Sequence, residues 1–95
     1  MKNEKYNGWS NYNTWRVKLE LIDTEVETIK ENKETFTDIS ELAETLKNEC
    51  EMYIGLDNNN SGIAYDYAMA FLSDVNWYEI AESVAEDYPG LIETK

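Results

Sequence analysis

Ninety-five residues with 20 Asp and Glu, eight Lys and Arg, no His, one Cys and one Pro carry a formal charge of −12 at pH 7. No imidazole is present to act as a neutral-pH base or zinc ligand, and Cys50 alone can neither close an internal disulfide nor build a thiolate cluster, so most enzyme chemistry and a disulfide-held fold are excluded. The length suits a single domain, 1–95, and a pI near 4.2 opposes direct binding to DNA, RNA or acidic membranes, whose recognition uses Lys and Arg.

Three Trp, seven Tyr and two Phe argue against disorder, because each buries a large area once it finds a core. No stretch approaches the roughly 20 apolar residues of a membrane span. Met1-Lys2-Asn3-Glu4-Lys5 precedes polar residues and not an apolar segment, so no secretory signal is expected and the chain reads as cytoplasmic.

The first helix is expected after Gly8-Trp9, with Ser10 or Asn11 as its cap. Tyr12, Trp15, Leu19, Ile22, Val26 and Ile29 then recur at steps of three and four, an inward stripe opposite Arg16, Lys18, Glu20, Asp23, Glu27 and Lys30. Thr24 and its β-branched neighbours leave one bent helix and two short ones equally compatible with the pattern. A polar connector, 31–37, leads to Asp38, with Glu41 three residues on in the arrangement of a capping box. The second helix places Ile39, Leu42, Leu46, Cys50 and Tyr53 on one side, and Gly55 is its expected stop. Asp57 to Gly62 collects turn formers and reads as an exposed, mobile loop. A third helix opens at Ser61 or Gly62 with Ile63, Ala64, Tyr67, Ala68, Phe71 and Leu72 inward. After a break at 73–75, Asn76 and Glu79 repeat the cap-and-acid pair. The last helix then carries Trp77, Ile80, Ala81, Val84 and Tyr88 before Pro89-Gly90 ends it. The predicted fold is all-α, one small domain of four or five helices.

Charge is distributed unevenly. Residues 1–18 hold Lys2, Lys5, Arg16 and Lys18 against Glu4, a net of +3, so the rest of the chain carries −15. No Lys or Arg occurs between Asn48 and Thr94, whereas Glu49, Glu51, Asp57, Asp66, Asp74, Glu79, Glu82, Glu86, Asp87 and Glu93 do. Glu79, Glu82 and Glu86 have the spacing that stacks side chains on one helix face. Such a row imitates the phosphates of nucleic acid and attracts a basic groove; the plainer reading is a solvated face that keeps a small domain soluble. None of the acids is singled out by an apolar setting, so carboxylate catalysis is not expected. The 57–62 run resembles a calcium loop, but Ala68 stands at its twelfth position where a bidentate Glu belongs. Cys50 lies on an apolar stripe with no His to activate it and reads as a structural thiol. Trp9, Tyr12 and Trp15 are read as core in preference to a stacking platform, with Trp9 able to staple the first turn.

Asn7-Gly8-Trp9-Ser10-Asn11-Tyr12-Asn13-Thr14-Trp15 resembles the opening G-W-S/T-N-Y-x-T-W of a group of small phage, plasmid and other mobile-element proteins. Phe71-Leu72-Ser73-Asp74-Val75-Asn76-Trp77-Tyr78-Glu79-Ile80-Ala81 is similar to the A-L-S-x-V-x-W-x-E-I-A segment near the end of the same proteins. The resemblance implies a mobile-element origin more firmly than an activity, and both motifs are also explicable as caps and core. With the acidity and size, it suggests by analogy an anti-restriction or anti-CRISPR protein.

Two functions are therefore expected as alternatives. The first is a non-enzymatic inhibitor that binds a host CRISPR effector or other defence nuclease through Glu79, Glu82, Glu86, Asp87, Glu49, Glu51, Asp57 and Asp66, blocking DNA or guide-RNA engagement. The second is an adaptor or regulatory protein of the mobile element, using an apolar patch in which Tyr53, Tyr65 or Tyr78 would count for more than the acids. No catalytic, cofactor or metal-binding residue is assigned in either.

Overall fold

The computed structural model describes residues 8–58 and 61–92, apart from the side chains of 56–58. It is all-α. Helix α1 (Tyr12–Val17) continues through a π-helical turn (Lys18–Ile22) into α2 (Asp23–Glu31), forming one rod; α3 (Ile39–Asn58), α4 (Gly62–Leu72), α5 (Trp77–Asp87) and a short 3-10 turn (Pro89–Leu91) follow. The described residues thus form four rods. The thinnest dimension is 18 Å, room for two layers of helices packed about 8–10 Å apart. Each helix therefore keeps one face in water.

The π turn explains why the first stripe is only half right. From Ile22 onward the expected residues are buried: Ile22, Val26 and Ile29 are at most 3% exposed. Upstream the buried pair is Thr14 and Val17 instead. Val17 and Ile22 are five positions apart, the repeat of a π turn and one more than an α-helix allows. That extra residue rotates the start of the rod by about 100°. Leu19 consequently turns outward at 58% exposure, Tyr12 at 40%, and Trp15 is half-buried. The interruption falls before Thr24, and the rod stays continuous.

Helix α3 forms the centre and packs most extensively on α5. Asp38 caps its start as expected, with Glu41 N donating to Asp38 Oδ1 (2.9 Å), while Glu41 Oε1 accepts from Thr37 N (2.6 Å), one residue before the cap. Leu42, Leu46 and Cys50 are fully buried, and each Leu so placed contributes about 1.5–3 kcal/mol of burial. Gly55 does not stop the helix, which runs on to Asn58; Gly55 is itself buried, and Tyr53 faces outward. The expected loop at 57–62 thus begins in helix and lies partly outside the described residues. From α5, Ile80, Ala81 and Val84 complete the core, and Trp9 and Trp77 pack against it half-buried. Tyr88 is at the surface, with Lys30 Nζ 4.4 Å from its ring centre. Beyond α5 the chain reaches the connector after α2, where Phe36 N donates to Leu91 O (2.8 Å) and both side chains are buried.

Helix α2 ends in a Schellman arrangement, with Lys33 N donating to Lys30 O and Glu34 N to Ile29 O. This puts Lys33, and not a glycine, at φ 57.

The two motif segments meet in one hydrogen-bonded lock. Asn11 Oδ1 accepts from Thr14 N and Thr14 Oγ1, both at 2.8 Å, and Thr14 Oγ1 in turn accepts from Asn76 N at 2.8 Å. Ser10 donates from N (3.0 Å) and Oγ (2.7 Å) to Glu79 Oε1, and Ser10 Oγ accepts from Asn76 Nδ2. Asn76 Oδ1 caps α5 through Glu79 N (3.0 Å). The cap of α5 is therefore as expected, but its acid reaches back to Ser10 and not to the cap's own N–H. Asn13 Nδ2 and Asn11 Nδ2 donate to Phe71 O and Asp74 O, closing off the end of α4.

Thr14 has no solvent exposure, so the near-isosteric Thr14→Val strands the Asn76 N–H without an acceptor. The expected cost is about 1–3 kcal/mol, read as a lower urea midpoint at unchanged m-value. Lys33→Gly relieves the left-handed backbone and should stabilise by about 1 kcal/mol in the same measurement.

Candidate functional site

The eight acids expected at an interface sit on three helices. On α5, Glu82 and Glu86 are exposed, one turn apart on the side opposite Ile80 and Val84, with Asp87 exposed beside them. None of the three has a hydrogen bond or cation among the described residues. Glu79 is half-buried, its carboxylate occupied by Ser10. Glu49 and Glu51 lie two residues apart, on opposite flanks of α3, and both are half-buried. Asp66 is exposed on α4. Asp57 falls in α3, and its side chain lies outside the described residues.

Glu49 faces α2. Burial, and then the Glu49 carboxylate, hold the carboxyl of Glu25 above its ordinary range. Between these acids lies Cys50, whose thiol is pushed up to about 12, first by burial and then by Glu25, Glu49 and Glu51. A thiol so raised is protonated at neutral pH and is no nucleophile. Among the described residues no group of three or more His, Cys, Asp or Glu is placed to hold a metal ion, and no helix is long and apolar enough to cross a membrane.

The feature that stands out is α4. Between Gly62 and Leu72 its one charged residue is Asp66. A helix with so little polar surface ordinarily lies inside a large core. Here only Leu72 is buried; Ile63 is 70% exposed and Tyr67 71%, and Ala64 and Ala70 are also exposed. Of the expected inward residues, Ala68, Phe71 and Leu72 do face the domain, whereas Ile63, Ala64 and Tyr67 point to solvent, because Tyr65 and Met69 complete the packed side of α4. Its last turn is tied to α1 by Asn13 and Asn11, and its body rests on α3.

Between α4 and the first rod runs an open groove of about 420 Å³. Arg16, Val17, Glu20 and Leu21 form one wall, Tyr67, Ala68, Phe71 and Leu72 the other, and Ile54 of α3 also lines it. The π turn makes the first wall, since it brings Val17 and Leu21 to this side. At the rim, Arg16 Nη1 donates to Tyr12 Oη (2.7 Å) and Nη2 pairs with Glu20 Oε2. Tyr12 meets Phe71 edge-on at 6.4 Å between ring centres. Arg16 Nε is buried without an acceptor among the described residues.

The stripe-based reading missed this surface, yet it left a signal. A 95-residue chain cannot enclose a helix on all sides, so the near-absence of charge from 62 to 72 meant that α4 would expose apolar residues. Comparison with protein-family models, curated proteins and solved structures finds no match for the chain.

Cys50 should resist alkylation by iodoacetamide at pH 8 in the native protein and react at the rate of a free thiol in denaturant. Native labelling at that free rate would contradict its burial.

Proposed function

We propose that this protein acts by binding another protein, with no chemistry of its own, and that the contact centres on the uncovered apolar face of α4. The observation that carries the reading is Ile63 and Tyr67, each about 70% exposed on a helix with one charge. Uncovered apolar surface of this kind marks interaction sites in soluble proteins. The resemblance of both end motifs to small phage and plasmid proteins supports an adaptor or regulatory role in a mobile element.

A second reading rests on a different observation: Glu82, Glu86 and Asp87 are exposed on α5 without a cation among the described residues. In that reading the protein is an anti-defence inhibitor, and these acids occupy the basic channel of a host CRISPR effector or other nuclease. Exposed charge pairs of that kind weaken as salt screens them.

Affinity capture from host lysate separates the two. With the α4 contact, a specific partner is retained at high salt, is lost by an Ile63→Ser/Tyr67→Ser variant, and survives Glu82→Gln/Glu86→Gln/Asp87→Asn. A partner that is released by salt, lost by the acid variant and indifferent to Ile63 and Tyr67 transfers the function to the second reading.

A further inference from the structure

We infer that the first turn of α4 is a conformational switch: it winds and unwinds while the rest of the domain stays folded, and winding sets Ile63 beside Tyr67 on the uncovered face. The consequence for binding rests on the α4 reading; the motion does not.

The two ends of α4 are held differently. At its end, Asn13 Nδ2 donates to Phe71 O (2.8 Å), Asn11 Nδ2 to Asp74 O (2.9 Å) and Ser73 Oγ to Ala70 O (2.7 Å), beside the buried Leu72. Among the described residues nothing comparable holds the start. Ser61 has the extended backbone of an N-cap, φ −161 and ψ 170, yet its side chain makes no capping bond. At the starts of α1, α3 and α5, by contrast, Asn11, Asp38 and Asn76 each accept a backbone N–H. No acid lies in the first turn of α4 to complement its dipole, since Asp66 comes just after it. Gly62 follows the uncapped Ser61 at φ 92, and a glycine there gains the most backbone freedom when the turn opens.

Unwinding as far as Ala64 uncovers no packed side chain. Ser61, Gly62, Ile63 and Ala64 are all exposed, and Tyr65 is the first residue of α4 to be half-buried. Opening therefore breaks only the backbone hydrogen bonds from Asp66, Tyr67 and Ala68 N–H to the carbonyls four residues earlier, all at the water-facing end of the helix. In the wound form Ile63 and Tyr67, four positions apart, share one face. In the unwound form Ile63 leaves that face, while Tyr67 stays with the packed part of the helix beside Ala68 and Met69. Helix α4 thus presents two apolar surfaces of different extent, and a partner that touches both residues draws the turn into its wound form.

Native-state hydrogen exchange of the full chain, in urea below the unfolding transition, reads the motion directly. After correction for intrinsic rates, the amides of Tyr67 and Ala68 should exchange about tenfold or more faster than those of Phe71 and Leu72, at rates that low urea leaves unchanged. The equivalent amides of α5, those of Ala81 and Glu82, lie behind the Asn76 cap and should exchange with the slow group. Ala64→Gly removes one exposed methyl group and should speed Tyr67 and Ala68 about fivefold, still without dependence on low urea.

Exchange of Tyr67 and Ala68 at the rate of Phe71 and Leu72, accelerating with urea in parallel, would overturn the inference and leave the α4 contact standing. Fast, urea-independent exchange that extends to Phe71 and Leu72 would also overturn it, because the whole of α4 would then be detaching and not its first turn.

Discussion

The hydroxyl of Thr14, sealed from water, is the point on which the remaining arrangement turns. It donates to the Asn11 side chain that caps α1 and accepts from the backbone N–H of Asn76, the residue that caps α5. One atom thus fixes the start of the first rod against the start of the last helix. Around it, Ser10 holds the Glu79 carboxylate, and the amides of Asn11 and Asn13 close the end of α4. Buried polar groups of this kind are costly when only partly satisfied and rigidifying when complete. Shared among three helix termini, they set where α4 can lie, and so they set the groove.

Much of the architecture was legible in the sequence because it follows from local rules. Asp38 with Glu41, Asn76 with Glu79, and the Leu42, Leu46, Cys50 stripe need only nearby residues to be recognised. Three features were not local. The π turn gives no sequence mark, since Lys18 to Ile22 suits an α-helix equally well; the rotation becomes necessary because Thr14 must meet Asn76. Gly55 breaks an isolated helix, but burial in the packed α3 overrides its weak propensity. The outward face of α4 is a property of the whole domain, because a slab 18 Å thick has no interior left for a fourth apolar surface.

The candidate surface was legible in part. Lack of basic residues between Asn48 and Thr94 pointed to the acidic half of the molecule, and the structure distributes the eight candidate acids over α3, α4 and α5. Glu79 proved to have a structural partner that no spacing rule could name, since Ser10 is 69 positions away. Asp66 and Tyr67 are both exposed on α4 but point about 100° apart around the helix.

The lock also governs how the chain comes into being. Its long-range hydrogen bonds join residues 58 to 69 positions apart, so closing them requires everything from α1 to the start of α5. During synthesis the first rod leaves the ribosome long before Asn76 and Glu79 exist, with Thr14 still facing water. Helix formation can begin locally, but the entropic cost of bringing the two ends together falls on a late step. A chain interrupted short of α5 leaves α1 without the partner that orients it. Integrity of the helical domain is thereby checked at a single junction, where α1 and α5 begin.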